Sequence, residues 1–227
     1  MQYRILALGT LLAAAVLAAC GSDDDNNGIT STTSTATVRF VNATNTNISV
    51  ANGGVVGTGN SALTFGNAST CMTVNTASPN LTFTNSTSGA TINTFASNFA
   101  ANGNYTVIAY TDANGQTQFA TLNNSFTPTA GQAGLRVFNA ASGSGNIVVN
   151  SGGSALNGGS TAAFANSGTF FSMPAGTSTF TFNTGTGTST LVTLNGTTLI
   201  AGQNTTLVLA PPATGSATLR AFSTTGC

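Results

Sequence analysis

After residue 36, apolar and polar positions alternate along much of the chain with a period of two. Leu81-Thr82-Phe83, Phe180-Thr181-Phe182 and Tyr105-Thr106-Val107-Ile108-Ala109 are examples. Side chains alternate across an extended strand, so these segments place apolar groups on one face and threonines on the other. Beyond the first twenty residues no stretch carries a sustained 3.6-residue apolar stripe, and the abundant Gly, Asn, Ser and Thr disfavour helix interiors. The pattern predicts an all-β protein. It also repeats. Thr37-Val38-Arg39-Phe40-Val41-Asn42-Ala43 returns 97 residues later as Gly134-Leu135-Arg136-Val137-Phe138-Asn139-Ala140. Asn47-Ile48-Ser49-Val50 with Gly53-Gly54 then matches Asn146-Ile147-Val148-Val149 with Gly152-Gly153, and Gly103 to Ala109 matches Gln203 to Leu209. Matches kept in one order with little drift in offset indicate duplication.

Each unit has about seven short strands with turn signals between them, which predicts two tandem antiparallel β-sandwich (immunoglobulin-like) domains. The first spans residues 37–125 and the second 134–227, with a turn-rich linker at 126–133 around Pro128 and Gly131. Asp112-Ala113-Asn114-Gly115 is the expected hairpin turn, since Asn and Gly tolerate positive φ. A single continuous β-solenoid ranks lower, because no period of 20 to 45 residues is evident.

The amino end follows different rules. Met1 to Arg4 form a short positive region and Ile5 to Leu17 an apolar stretch too short to remain as a membrane span, so residues 1–19 read as a cleavable signal peptide. Leu17-Ala18-Ala19-Cys20 resembles a bacterial lipoprotein lipobox. That resemblance implies diacylglyceryl modification of the Cys20 thiol, cleavage before it and acylation of the new amino group, giving a stable multi-chain anchor. Residues 20–36 then form a flexible tether, with Asp23, Asp24 and Asp25 as a solvated spacer that lacks the alternating ligands and glycine turn of a calcium loop. Gly21 in the position after the lipidated cysteine points, by analogy with enterobacterial sorting, to the outer membrane of the bacterial cell envelope.

Composition narrows the chemistry. Charged residues are 4% of the chain, with four basic and four acidic residues, and there is no His, Lys, Glu or Trp. Four scattered arginines do not make a nucleic-acid footprint. Serine nucleophiles lack a base, and paired-carboxylate chemistry lacks a second acid near Asp112. A zinc site lacks its usual donors, and no cofactor motif is present. No catalytic, metal or cofactor-binding residues are therefore expected, and the chain does not read as an enzyme. Arg39 and Arg136 occupy the same slot in the two units. They read either as a paired feature for an anionic ligand or, the favoured reading, as strand residues with the guanidinium at the sheet surface. In an oxidising compartment Cys71 and Cys227 read as a disulfide linking the first unit to the end of the second. Two buried free thiols or pairing between chains are the alternatives.

The unit start Val38-Arg39-Phe40-Val41-Asn42-Ala43 and its partner, the Asn-Ile-x-Val strand that ends near glycine, and Met173-Pro174-Ala175-Gly176-Thr177 resemble the bacterial domain-of-unknown-function family 4397. The resemblance runs from about Thr37 to Phe222 and implies tandem β-sandwiches, often in lipoproteins or secreted proteins, with no reaction attached. Asn42-Ala43-Thr44-Asn45 and Asn139-Ala140-Ala141-Ser142 stand where that family often has His-Ala-Ser-Pro-Asp, so any activity resting on that histidine or aspartate would be lost.

These readings converge on a noncatalytic envelope lipoprotein, a structural, interaction or adhesive module held on the membrane by its lipid. A glycan or small-ligand binding module stacking its ligand on exposed Tyr105, Tyr110 or Phe side chains is the alternative, and an enzyme ranks last. With few charges to guard the strand edges, self-association or contact with an envelope or matrix partner is expected. Non-reducing peptide mapping of the envelope protein should recover Cys71 and Cys227 in one linked species. Two unmodified thiols would defeat the bridge.

Overall fold

A computed structural model describes residues 34–95 and 98–227. The signal peptide, Cys20 and most of the expected tether lie outside the described residues. The first half contains β1 (Thr35–Asn42), β2 (Ile48–Asn52), β3 (Val55–Val56), β4 (Met72–Asn75), β5 (Leu81–Asn85), β6 (Thr91–Phe95), β7 (Asn104–Thr111) and β8 (Thr117–Asn123). The second half contains β9 (Gln132–Asn139), β10 (Ile147–Ser151), β11 (Ser154–Ala155), β12 (Phe171–Pro174), β13 (Gly176–Thr184), β14 (Thr190–Leu199), β15 (Asn204–Ala210) and β16 (Arg220–Thr225). The fold is all-β, as the alternation predicts. β1 begins inside the stretch expected to be tether, because Ala36 is buried and Thr35 pairs with Asn75. Gln132 and Ala133, expected in the linker, belong to β9 for the same reason, Ala133 being fully buried.

The strands form four sheets with the orders β4-β1-β7-β8, β3-β2-β5-β6, β12-β9-β15-β16 and β11-β10-β13-β14. Adding eight to each strand of the first pair gives the second, so the sequence repeat is matched by a repeated strand order. The expected antiparallel pairing needs one amendment in each half: β1 runs parallel to β7, and β9 runs parallel to β15. The two-residue loops Gly53-Gly54 and Gly152-Gly153 close the β2–β3 and β10–β11 hairpins with φ of 61° and 81° and of 57° and 81°. Two successive positive φ values are what a tight hairpin with native twist needs, and glycine supplies them without steric cost.

The repeated Asn of the opening motif is a loop staple. Asn42 and Asn139 are buried, and each side chain satisfies backbone groups of the loops that follow. Asn42 Nδ2 donates to the carbonyls of Thr46 (2.7 Å) and Leu63 (2.8 Å), while its Oδ1 accepts from the N–H of Thr44. Asn139 Nδ2 donates to the Gly145 carbonyl (2.9 Å), and its Oδ1 accepts from the N–H of Ala141. A buried amide with its bonds made is tolerated where an unpaired one is costly.

Three apolar clusters hold the sheets. Val38, Phe40, Val50, Phe83 and Val107 fill the first sandwich, and Leu135, Ile147, Phe180, Phe182 and Leu207 fill the second. The third cluster joins the halves. Val41, Ile108 and Leu122 from sheet β4-β1-β7-β8, with Ala43 just past β1, pack with Phe138, Val208 and Ala210 from sheet β12-β9-β15-β16 and Ala140 just past β9. The inner strands β1, β7, β9 and β15 of the two central sheets are therefore covered on both faces. This explains the unbroken apolar runs Val107-Ile108-Ala109 and Leu207-Val208-Leu209-Ala210, which depart from simple alternation. Tyr110 contributes edge contacts to Phe138 and Phe164 across the junction. Phe138→Ala should lower stability by about 3–5 kcal/mol. Urea transitions followed by tyrosine fluorescence, which reports on the first half, and by circular dichroism should still coincide. Two separated transitions in the parent protein would show that the halves fold independently.

Candidate functional site

At the rim of the shared cluster, the two equivalent arginines reach across in opposite directions. Arg136 lies on β9 opposite Thr206 of β15 and Arg39 on β1 opposite Thr106 of β7. Arg136 Nε donates to Thr206 Oγ1 (2.9 Å), Nη1 to the Asn123 carbonyl (2.7 Å) and Nη2 to Asn124 Oδ1 (2.6 Å). Its partners Asn123 and Asn124 belong to the end of the first half. Arg39 reaches the end of the second half, where Nη1 donates to the carbonyl and hydroxyl of Thr225, each at 2.9 Å.

The favoured sequence reading puts both guanidinium groups at the sheet surface. Arg136 is instead 3% exposed, because the outer face of its sheet is covered by the other half. Its charge is held without a carboxylate, by neutral oxygens and by the Phe170 ring, whose centroid is 4.3 Å away. Desolvation pushes its guanidinium down to about 10, so it remains cationic at neutral pH.

The two copies diverge in what closes them. Beside Arg136, Phe170 stacks on Phe126 with centroids 5.2 Å apart and planes 13° off parallel. Gly134 admits this packing, since a Cβ there would collide with Asn204 Oδ1 and the Phe126 ring. In the first half the position that precedes the paired edge strand, equivalent to Phe170, is Cys71. Cys71 and Cys227 stand at disulfide distance with their Cα atoms 5.9 Å apart, closing a separation of 156 residues. A loop of that length corresponds to roughly 5 kcal/mol in the chain-entropy description. A sulfur pair occupies less space than two stacked rings, and a polar cleft of about 430 Å³ remains beside Arg39.

Asn124 links the two arginine sites. Its Oδ1 accepts from Arg136, while its Nδ2 donates to Asn104 Oδ1 (2.8 Å) and Thr106 Oγ1 (3.0 Å). Asn204, the counterpart of Asn104, donates to the carbonyls of Asn124 and Phe126, both at 2.8 Å. Asn104, Asn124, Gln203 and Asn204 all border the cleft. None of these amides stood out in the sequence among so many asparagines. For Asn104, Gln203 and Asn204 the usable signal is position, at or just before the start of a strand whose apolar run shows that both of its faces are covered; Asn124 follows β8, which has no such run.

The other residues of interest lie apart from the cleft. Tyr105, expected as a ligand platform, is buried against Phe99, and its hydroxyl accepts from the Ala100 N–H at 3.0 Å. Tyr110 is partly buried between Phe138 and Phe164. Burial and, secondarily, the charge of Asp112 raise its phenol pKa. Asp112 is partly exposed on the β7–β8 hairpin. Backbone bonds from Gln116 and Asn114 and the side chain of Gln118 hold its carboxyl below the usual range. Among the described residues no three His, Cys, Asp or Glu side chains converge on a metal-sized site.

The model of the family described as "Domain of unknown function (DUF4397)" matches residues 36–150. The chain belongs to this family. The DUF4397 match runs from β1 through most of β10 and includes both Arg39 and Arg136. No curated protein matches the chain. Within this DUF4397 protein the two arginines should respond differently to removal. Arg136→Ala should cost roughly 2–3 kcal/mol in urea denaturation, because Asn124 Oδ1 and Thr206 Oγ1 lose a charged donor. Arg39→Ala should cost less than about 1 kcal/mol, since only one of its nitrogens is bonded. Equal losses would contradict the asymmetry.

Proposed function

We propose that this chain is a noncatalytic cell-envelope lipoprotein that displays a joined pair of β-sandwiches on the bacterial outer membrane through lipid on Cys20. The single observation that carries the noncatalytic reading is the inventory of proton-transfer groups. The sequence has no His, Lys or Glu, and the one described acid, Asp112, has its oxygens engaged in a hairpin turn. General acid–base chemistry near neutral pH has no side chain to work with. The shared apolar cluster supports a structural or adhesive role, since two sandwiches joined face to face present a rigid body to a partner. The second half, with the same strand order as the first, is read as a second unit of the same family.

Ligand binding is the second reading, and the polar cleft beside Arg39 favours it. The location of such a site moves from the tyrosines to the junction between the halves. The lipoprotein reading is tested by palmitate labelling and fractionation of cells that express the full chain. The protein should take up label, sediment with outer-membrane density and resist a carbonate wash. The Cys20→Ser variant should lose the label and leave the membrane. Unlabelled parent protein, or parent protein in the soluble fraction, would overturn the anchor. Substrate turnover abolished by a point substitution would overturn the noncatalytic reading.

A further inference from the structure

We infer that the cleft beside Arg39 binds an acidic sugar unit, its carboxylate taken by the Arg39 guanidinium and its hydroxyls by the surrounding amides. This deepens the ligand-binding reading and stands independently of the lipid anchor.

The comparison between the duplicated arginines carries the inference. At Arg136 all three nitrogens are bonded within the protein and two phenyl rings fill the adjoining space. At Arg39 only Nη1 is bonded, to Thr225 and, at 3.5 Å, to the Gly226 carbonyl. Arg39 Nε is buried without an acceptor, and Nη2 makes no hydrogen bond among the described residues, so Nη2 is the donor open to the cleft. The same side chain in the same strand position is thus saturated in one copy and left with spare donors in the other.

The vacant space matches those donors in chemistry. A guanidinium nitrogen with free N–H groups makes a charge-assisted bond to a carboxylate, here from Nη2. Around it stand Asn104 and Gln203, whose carboxamides keep bonding capacity for hydroxyl groups, while Asn124 and the amide nitrogen of Asn204 are engaged within the protein. Gln203 is exposed and its side chain makes no hydrogen bond among the described residues. A volume of about 430 Å³ lies in the range of ordinary small-ligand sites. The lining is predominantly polar, which suits a sugar better than an apolar ligand. The site needs no aromatic platform.

The test is calorimetric titration of the full-length protein in detergent with glucuronate, glucose and acetate. Glucuronate should bind at least tenfold more tightly than either glucose, which lacks the carboxylate, or acetate, which lacks the ring hydroxyls. Arg39→Ala should weaken glucuronate at least tenfold and Arg39→Lys several-fold, because the ammonium keeps the charge but does not stand where Nη2 does. Gln203→Ala, an exposed change that leaves the fold intact, should weaken it a few-fold. Equal binding of glucose, equal binding of acetate, indifference to both Arg39→Ala and Gln203→Ala, or no heat with glucuronate would each overturn the inference. None of these outcomes would disturb palmitate labelling at Cys20.

Discussion

The apolar contact between the two central sheets is the constraint to which the other features answer. Without it, Ile108, Phe138 and Val208 would line the outer faces of two separate sandwiches. Burying side chains of this size contributes about 1.5–3 kcal/mol each, so these three together approach the net stability of a typical domain, about 5–15 kcal/mol. The contact therefore makes the halves one folding problem. It also fixes what can stand at its rim. A guanidinium carried there by the strand register is desolvated, and it has to find oxygens on the opposite half.

The same arginine stands at equivalent strand positions of the two halves, and the surroundings make the two different. Phe126 and Phe170 close the space at Arg136, while Cys71 and Cys227 stand beside Arg39 and leave it open. The asymmetry comes from a few side chains on a common backbone plan. Asn124 ties the two sites together, because one carboxamide serves Arg136 with its oxygen and the Asn104–Thr106 pair with its nitrogen.

Local pattern was legible in the sequence where it depends on near neighbours. Leu81-Thr82-Phe83 and Phe180-Thr181-Phe182 alternate as expected, with the apolar members buried. Asp112-Ala113-Asn114-Gly115 forms the expected turn, with Asp112 accepting from its own loop. The burial of Arg136 was not legible, since alternation says which face is polar but not whether a second sheet covers it. The buried position of Tyr105 was hidden for a related reason: its hydroxyl partner, the Ala100 N–H, comes from an irregular segment with no periodicity. The cleft depends on a contact between residues nearly two hundred positions apart, Arg39 and Thr225, which no local signal marks.

The parallel pairing of β1 with β7 bears on how the fold takes load. β1 is an interior strand, with β4 on one side and β7 on the other. Tension applied at Thr35 along the strand axis would meet the whole β1–β7 ladder, from Thr37–Asn104 to Asn42–Ala109, in shear. Those rungs must yield together, whereas a hairpin pulled from its open end unzips one rung at a time. A strand so placed makes a mechanically resistant point of attachment.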